Sequence, residues 1–160
     1  MQSILEGAPN VSTELIDLRD LNLVLDDSRR GTADPRFEAS VDRADGLVLV
    51  VPEYNGSYPG LLKHALDTLL AQYARKSVGL VTVSAGGLGG ARLAATMLPV
   101  LRDLGLVVIK RDLLVSRAGE AFDEGGELVD GRLPTRADRF VEELLWMKRT
   151  LKAGRQPEEV

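Results

Sequence analysis

The sequence predicts a single α/β domain in which a parallel β-sheet carries helices on both faces. Two apolar runs rich in β-branched residues, at residues 46–51 and 78–83, each precede a stretch with helical periodicity. Continuous apolar runs of this kind are typical of strands buried on both faces of a parallel sheet. The connections are short, as in βαβ units. We therefore expect one domain over residues 1–152 and a polar tail at residues 153–160.

The remaining elements follow from apolar spacing and from turn-forming residues. In chain order we expect the end of a helix at residues 1–7, a short strand at 13–18, a loop at 26–35, a helix at 36–44, a helix at 61–70, a helix through Pro99, a third strand at 106–109, an exposed turn or hairpin at 120–131 and a closing helix at 134–151.

The composition excludes several classes of function. The chain has 160 residues, no cysteine and a single histidine, His64. Disulfides, thiolate metal sites and cysteine nucleophiles are therefore absent, and a zinc site is not expected. The net charge of −4 argues against nucleic-acid binding. No apolar run approaches a membrane span and no signal-peptide pattern is visible, so we expect a soluble cytoplasmic protein without membrane contact.

Two loops are candidates for binding a ligand. Residues 52–60 follow the first apolar run, and the glycine-rich residues 84–90 follow the second. The carboxyl ends of neighbouring parallel strands meet at one edge of a sheet, which is where such folds bind ligands. From spacing alone, the first loop is equally well an ordinary turn built on Asn-Gly. The second does not match the dinucleotide fingerprint, because Arg92 stands where the third glycine belongs.

Taken together, the two loops resemble a known family. Residues 52–67 read Pro-Glu-Tyr-Asn-Gly-Ser-Tyr-Pro-Gly-Leu-Leu-Lys-His-Ala-Leu-Asp, which resembles the signature of the NADPH-dependent FMN reductases. Residues 84–90 read Ser-Ala-Gly-Gly-Leu-Gly-Gly, which is similar to the second flavin loop of that family. The resemblance extends from about residue 14 to about residue 145. It implies a flavodoxin-like three-layer fold with a parallel sheet.

The resemblance also assigns a flavin site, with no catalytic side chain and no metal. The residues that it places against the isoalloxazine are Pro52, Glu53, Tyr54 and Asn55 on one side and Ser84, Gly86, Gly87 and Gly90 on the other. Backbone N–H groups of the first loop and the Asn55 amide are expected at the pyrimidine edge. Fixed donors there would stabilise the negative charge of the reduced flavin.

The resemblance implies the reaction. NAD(P)H would reduce bound FMN by hydride transfer and leave, and an acceptor would then take the electrons at the same face, which gives ping-pong kinetics. The acceptor could be a quinone, an azo compound, a metal oxyanion or free flavin. An alternative is a non-catalytic flavodoxin-like module for oligomerisation or binding that has lost its FMN phosphate site.

A homodimer or homotetramer is expected. The apolar stripe over residues 61–70 is broader than one sheet face requires, and Tyr58, Pro59 and Tyr73 flank it. The family resemblance implies the same, because these reductases pair through helices beside their flavin loops.

One expected part of the family is missing from the sequence. The family opens with a strand and a Gly-Ser-x-Arg-type loop that holds the FMN phosphate, whereas residues 13–18 match its second strand and residues 1–7 only the end of its first helix. Either the chain starts late or it is a natural short form. Arg29 and Arg30 could meet a nicotinamide cofactor's phosphate, although exposed loop arginines are common.

Overall fold

The computed structural model describes residues 1–24 and 33–155. Helices and strands alternate along these residues, as the sequence predicts. The helices are α1 (Gln2–Glu6), α2 (Pro35–Arg43), α3 (Gly60–Asp67), α4 (Ala91–Asp103) and α5 (Leu133–Arg155), and the strands are β1 (Gly46–Pro52), β2 (Ser77–Val83), β3 (Val107–Val108) and β4 (Leu113–Val115).

The sheet is parallel and has β2 at its centre. On one side β1 pairs with β2 in unbroken register from Gly46 opposite Ser77 to Pro52 opposite Val83. On the other side both β3 and β4 pair with β2. The predicted third strand is confirmed as β3, although it is shorter than expected, and β4 was not predicted.

β3 and β4 are two parts of one interrupted edge strand. Ser77 lies opposite Val107, but Val81 lies opposite Leu113, so two extra residues sit between the two parts. The Glu143 side chain of α5 fills the interruption: its Oε1 accepts from the Lys110 N–H at 2.9 Å, and its Oε2 pairs with Arg111 Nε at 3.0 Å. The two extra residues form a bulge, which shifts β4 along β2. The end of β4 thereby reaches the carboxyl edge of the sheet, where the loops after β1 and β2 begin.

Helices cover both faces of the sheet, which confirms the three-layer prediction. One core cluster holds apolar residues of α2, α3 and α4 against the sheet, and a second holds those of α1 and α5. Gly79 in β2 shows how tightly α5 packs, since a Cβ there would lie 2.4 Å from the ring of Phe140. The central strand β2 is almost fully buried.

The prediction of a strand at residues 13–18 is wrong. Residues 11–17 form neither helix nor strand, and a 3₁₀ helix follows at Leu18–Asp20. The Asp17 side chain caps that turn by accepting from the Arg19 N–H at 2.9 Å. Ile16 and Leu18 nevertheless pack on the core. The segment therefore shows the apolar pattern of a strand because it lies against the core, not because it pairs.

The prediction that β1 is buried on both faces is also wrong. Most of β1 is only partly buried, and the Val50 side chain is 58% exposed. Among the described residues, β2 is the only strand that pairs with β1. An edge strand with incomplete helix cover keeps part of its apolar surface in contact with solvent.

The predicted helix at residues 61–70 ends earlier, at Asp67, and Ala71–Tyr73 forms a 3₁₀ helix. Tyr73 is fully buried, so the expectation that it flanks an interface is wrong. Its ring fills the core behind α3, where an aromatic side chain contributes large apolar area. Leu70, by contrast, is 66% exposed.

The other predicted elements are confirmed with shifted ends. An isolated antiparallel bridge between Phe122 and Leu128 forms the expected hairpin, and α5 extends the predicted closing helix at both ends. Arg29, Arg30 and most of the predicted loop at 26–35 lie outside the described residues. Among the described helices, none is both long and apolar enough to cross a membrane.

Candidate functional site

Three loops meet at the carboxyl edge of the sheet. Pro52 and Val83 form the last rung between β1 and β2, and the Glu53 N–H extends it by donating to Val83 O at 2.8 Å. The Ser84 N–H donates to Val115 O at 3.0 Å, which joins the end of β4 to the same edge. The loops at 52–60 and 84–90 therefore lie side by side, as predicted, and a third loop at 116–120 lies beside the second.

The first loop is a tight two-residue turn. The Tyr54 N–H donates to Ser57 O at 2.8 Å, and the Ser57 N–H donates to Tyr54 O at 2.9 Å. Between them Asn55 has φ 52° and Gly56 has φ 78°. Two consecutive left-handed residues define a type I′ turn, for which Asn-Gly is the favoured pair. The turn leaves the Tyr54 ring 60% exposed at the edge of the sheet.

The turn limits which backbone donors can face a ligand. Pro52 has no N–H, and the N–H groups of Glu53 and Tyr54 already donate within the protein. Among the described residues, no protein acceptor is assigned to the N–H groups of Asn55 and Gly56. The backbone donors predicted for this loop therefore narrow to Asn55 and Gly56, and Gly56 was not among the predicted site residues.

The Glu53 side chain does not face open space. Its carboxylate is 6% exposed and pairs with Arg92 of α4, whose Nε lies 3.1 Å and Nη2 2.5 Å from Oε1. The second oxygen, Oε2, is buried without a hydrogen-bond partner. The Glu53 side chain is thus directed at α4, and its contact with the flavin stays a prediction. Sequence reasoning noticed Arg92 only as a mismatch to the dinucleotide fingerprint.

Gly86 and Gly87 leave room for a flat ligand. Both are exposed; a Cβ at Gly86 would meet no atom within 4 Å, and one at Gly87 would meet only Arg117 Nη2, at 3.8 Å. The Ser84 hydroxyl donates to Gly86 O at 3.0 Å and so holds this stretch of the loop. Bare backbone beside open space allows a ring to approach closely.

Gly89 and Gly90 have a different reason to be glycine. Both have positive φ, and a Cβ would lie 2.9 Å from Leu114 Cβ at Gly89 and 2.6 Å from Thr82 Cβ at Gly90. The Thr82 hydroxyl donates to Gly89 O at 2.6 Å beneath the loop. The structure thus places the predicted Gly90 among the buried supports of the loop, because close packing on β2 leaves no room for a side chain there.

The third loop was missed by sequence reasoning. The Arg117 N–H donates to Gly86 O and the Ala118 N–H to Ser84 O, both at 3.0 Å. Arg117 has φ 46° and an exposed side chain beside Gly87. A basic residue two positions after the end of a strand could have signalled this loop, but β4 itself was not predicted. The site therefore has a cationic side chain on the side opposite the Asn-Gly turn.

Comparison with known proteins decides the family. Residues 1–120 match the sequence profile of the NADPH-dependent FMN reductases. The chain belongs to this family. It is thereby an oxidoreductase that uses FMN and NAD(P)H.

Individual relatives of this FMN reductase agree with the assignment. An NAD(P)H-dependent FMN reductase of Pseudomonas aeruginosa is 30% identical over 150 residues, which cover 88% of this chain and 81% of the relative. A quinone reductase of Pseudomonas putida is 30% identical over 162 residues, which cover 92% of this chain and 84% of the relative. A similar solved structure is that of FerB, a flavoenzyme NAD(P)H:(acceptor) oxidoreductase of Paracoccus denitrificans. The match covers 93% of this chain and 85% of the FerB chain, with a TM-score of 0.76 and 24% sequence identity. This likeness supports the flavodoxin-like fold.

The loops of this FMN reductase fit a flat ring with a polar edge. The open space at Gly86 and Gly87 can take a ring face, and the N–H groups of Asn55 and Gly56 remain as donors for carbonyl and nitrogen atoms at a ring edge. Isoalloxazine has both features.

Proposed function

We propose that this chain is an FMN-dependent NAD(P)H oxidoreductase that passes electrons to a quinone by a ping-pong mechanism. The observation that carries the proposal is the open glycine stretch at Gly86 and Gly87, which lies beside a rigid Asn-Gly turn on an exposed edge of the sheet. The name of the Pseudomonas putida relative supports a quinone as the acceptor. When bound, FMN supplies the hydride chemistry.

The residues of the first loop would orient the flavin. We propose that the Asn55 amide and the N–H groups of Asn55 and Gly56 donate to the pyrimidine edge. The type I′ turn fixes the direction of these donors, so they need no reorganisation when negative charge develops at that edge. The partly exposed Tyr54 ring would border the same pocket.

The second loop would leave one ring face accessible. Because Gly86 and Gly87 carry no side chain that could fold over a ring packed against them, the opposite face of the ring would stay open to the nicotinamide and the acceptor in turn. Sharing one face forces the first product to leave before the second substrate enters, which is the basis of a ping-pong pattern. Azo compounds, metal oxyanions and free flavin are further acceptors that an open face would admit.

Steady-state kinetics of the FMN-loaded protein tests this proposal. NADPH and benzoquinone are varied together, and we expect parallel lines in double-reciprocal plots. Intersecting lines would contradict the ping-pong mechanism. A protein that neither binds FMN nor is stabilised by it against heat would instead be the non-catalytic module.

A further inference from the structure

The ion pair between Glu53 and Arg92 joins the flavin loop to α4. Glu53 is held at its backbone by Val83 O and at its side chain by Arg92, which is the second residue of α4. The exposures of the two side chains are very unequal: 6% for Glu53 and 65% for Arg92. The exposed guanidinium therefore reaches back over the loop to neutralise a carboxylate that lies beneath it.

The same guanidinium lies against the turn. A Cβ at Gly56 would lie 3.7 Å from both Cζ and Nε of Arg92, so the backbone of the turn passes close to it. A second link ties the turn to α4 one helical turn further on, where the Ser57 and Thr96 hydroxyls are 3.1 Å apart. The Asn-Gly turn is thus held between β1 and α4 at two points.

A buried carboxylate needs its counter-charge. Glu53 Oε2 has no hydrogen-bond partner. Among the described ion pairs, Arg92 is the only cation paired with this carboxylate. Removing the guanidinium would leave a buried, unpaired charge, which is costly in proteins. The loop would then move to bring Glu53 into water, and the turn attached to it would move as well.

We propose that Arg92 is a positioning residue, which through Glu53 fixes the turn at residues 54–57 in the geometry that receives FMN. The inference rests on the proposed function, since it assigns a purpose to the fixed direction of the donors at Asn55 and Gly56. Arg92 acts through the loop and need not touch the cofactor.

The test compares R92M, R92K, E53Q and the double variant E53Q/R92M with the wild-type protein. R92M keeps an apolar stem but loses the charge, and we expect its FMN dissociation constant to rise about tenfold or more. R92K should recover part of the affinity. The double variant has no buried charge to expose, so we expect its melting temperature to return toward the wild-type value while its FMN affinity stays low.

A matched control is R43M, which breaks the exposed Arg43–Glu14 pair at the end of α2, outside the three loops of the site. Its FMN dissociation constant should equal that of the wild type. Amide hydrogen exchange without FMN gives an independent readout: R92M should speed the exchange of Tyr54 and Ser57 about tenfold, and R43M should not.

The two claims fail in different ways. If the wild-type protein does not bind FMN, the proposed function is wrong, and amide exchange still decides whether Arg92 fixes the turn. If the wild type binds FMN while R92M and E53Q/R92M both keep wild-type exchange at Tyr54 and Ser57 and an unchanged FMN dissociation constant, the positioning role is wrong.

Discussion

Among single residues, the glycines of the second loop separate into two kinds. Gly86 and Gly87 border open space, whereas Gly89 and Gly90 have positive φ and no room for a Cβ. The first kind can matter to a ligand without mattering to the fold. The second kind is required by the fold itself, because L-residues are strained at positive φ and a side chain would collide with β2 and β4.

Gly87→Val should reduce FMN binding without reducing stability. Gly87 does not have positive φ, and its nearest neighbour would be the flexible end of Arg117, so the free protein can accept the side chain. We expect the FMN dissociation constant, measured by quenching of flavin fluorescence, to rise about tenfold or more at an unchanged melting temperature. Gly90→Ala is the contrasting variant and should lower the melting temperature, because its Cβ would lie 2.6 Å from Thr82. Full flavin occupancy in Gly87→Val would show that this loop does not contact the cofactor.

Asn55 can be tested without disturbing the turn. Because Asn55 has φ 52°, Asn55→Gly keeps the backbone geometry and removes only the amide. We expect FMN binding to weaken by about 1–3 kcal/mol, the cost of leaving a buried partner unsatisfied. Asn55→Ala should lose the same affinity and, in addition, about 1 kcal/mol of folding free energy, because alanine is disfavoured in the left-handed region. Isothermal titration and chemical denaturation measure the two quantities; an unchanged affinity in Asn55→Gly would exclude the amide from the site.

For the secondary-structure elements, the local apolar pattern predicted those that depend on residues close in sequence. It failed for elements that depend on contacts with residues distant in sequence. The order of helices and strands follows from apolar spacing, and it is confirmed. The false strand at residues 13–18 and the missed strand β4 have the opposite cause. The first has the right pattern but no partner strand, and the second depends on Glu143, a residue of α5 that holds the bulge from 33 residues away in sequence.

Lys76 is a buried cap of α2. Its ammonium donates to Val41 O and Asp42 O, both at 2.7 Å, at the end of that helix. Orphan carbonyls at a helix end need such donors. Lys76→Met should therefore lower the free energy of unfolding by about 1–3 kcal/mol, measured by urea denaturation near neutral pH. An unchanged free energy of unfolding in Lys76→Met would mean that water caps the helix equally well.

The same cap predicts a pH dependence. Burial lowers the pKa of Lys76 from its ordinary value, so the unfolded chain binds more protons than the folded one between the two pKa values. The cost of burying the charge is present below the folded pKa and fades as the pH rises toward the unfolded pKa. Relative to Lys76→Met, the wild-type protein should gain stability as the pH rises through that alkaline window. A constant or shrinking difference would contradict this sign.

For the whole molecule, the meeting of the two predicted loops needed no information beyond the sequence. Both loops follow strands of one parallel sheet, and the carboxyl ends of such strands share an edge. The third loop and the Glu53–Arg92 pair could not be foreseen in the same way. They depend on the end of an interrupted strand and on the direction of two side chains that are 39 residues apart.

The expected homodimer or homotetramer remains a prediction with a revised basis. Tyr73 is buried and cannot contribute, but Leu61 is 41% and Leu70 is 66% exposed at the two ends of the predicted stripe. Light scattering at micromolar concentration should give at least twice the mass of the 17.3 kDa chain. Leu61→Glu combined with Leu70→Glu should lower that mass toward one chain. A wild-type mass of one chain, with flavin bound and turnover intact, would contradict the prediction.

The most direct test of the central claim follows the two half-reactions separately. The protein is loaded with FMN under anaerobic conditions, NADPH is added, and benzoquinone is added after the NADPH is consumed. We predict that the visible absorbance of bound flavin bleaches with NADPH and returns with the quinone, with each step independent of the other substrate. Flavin that does not bind, or that stays oxidised in the presence of NADPH, would contradict the account.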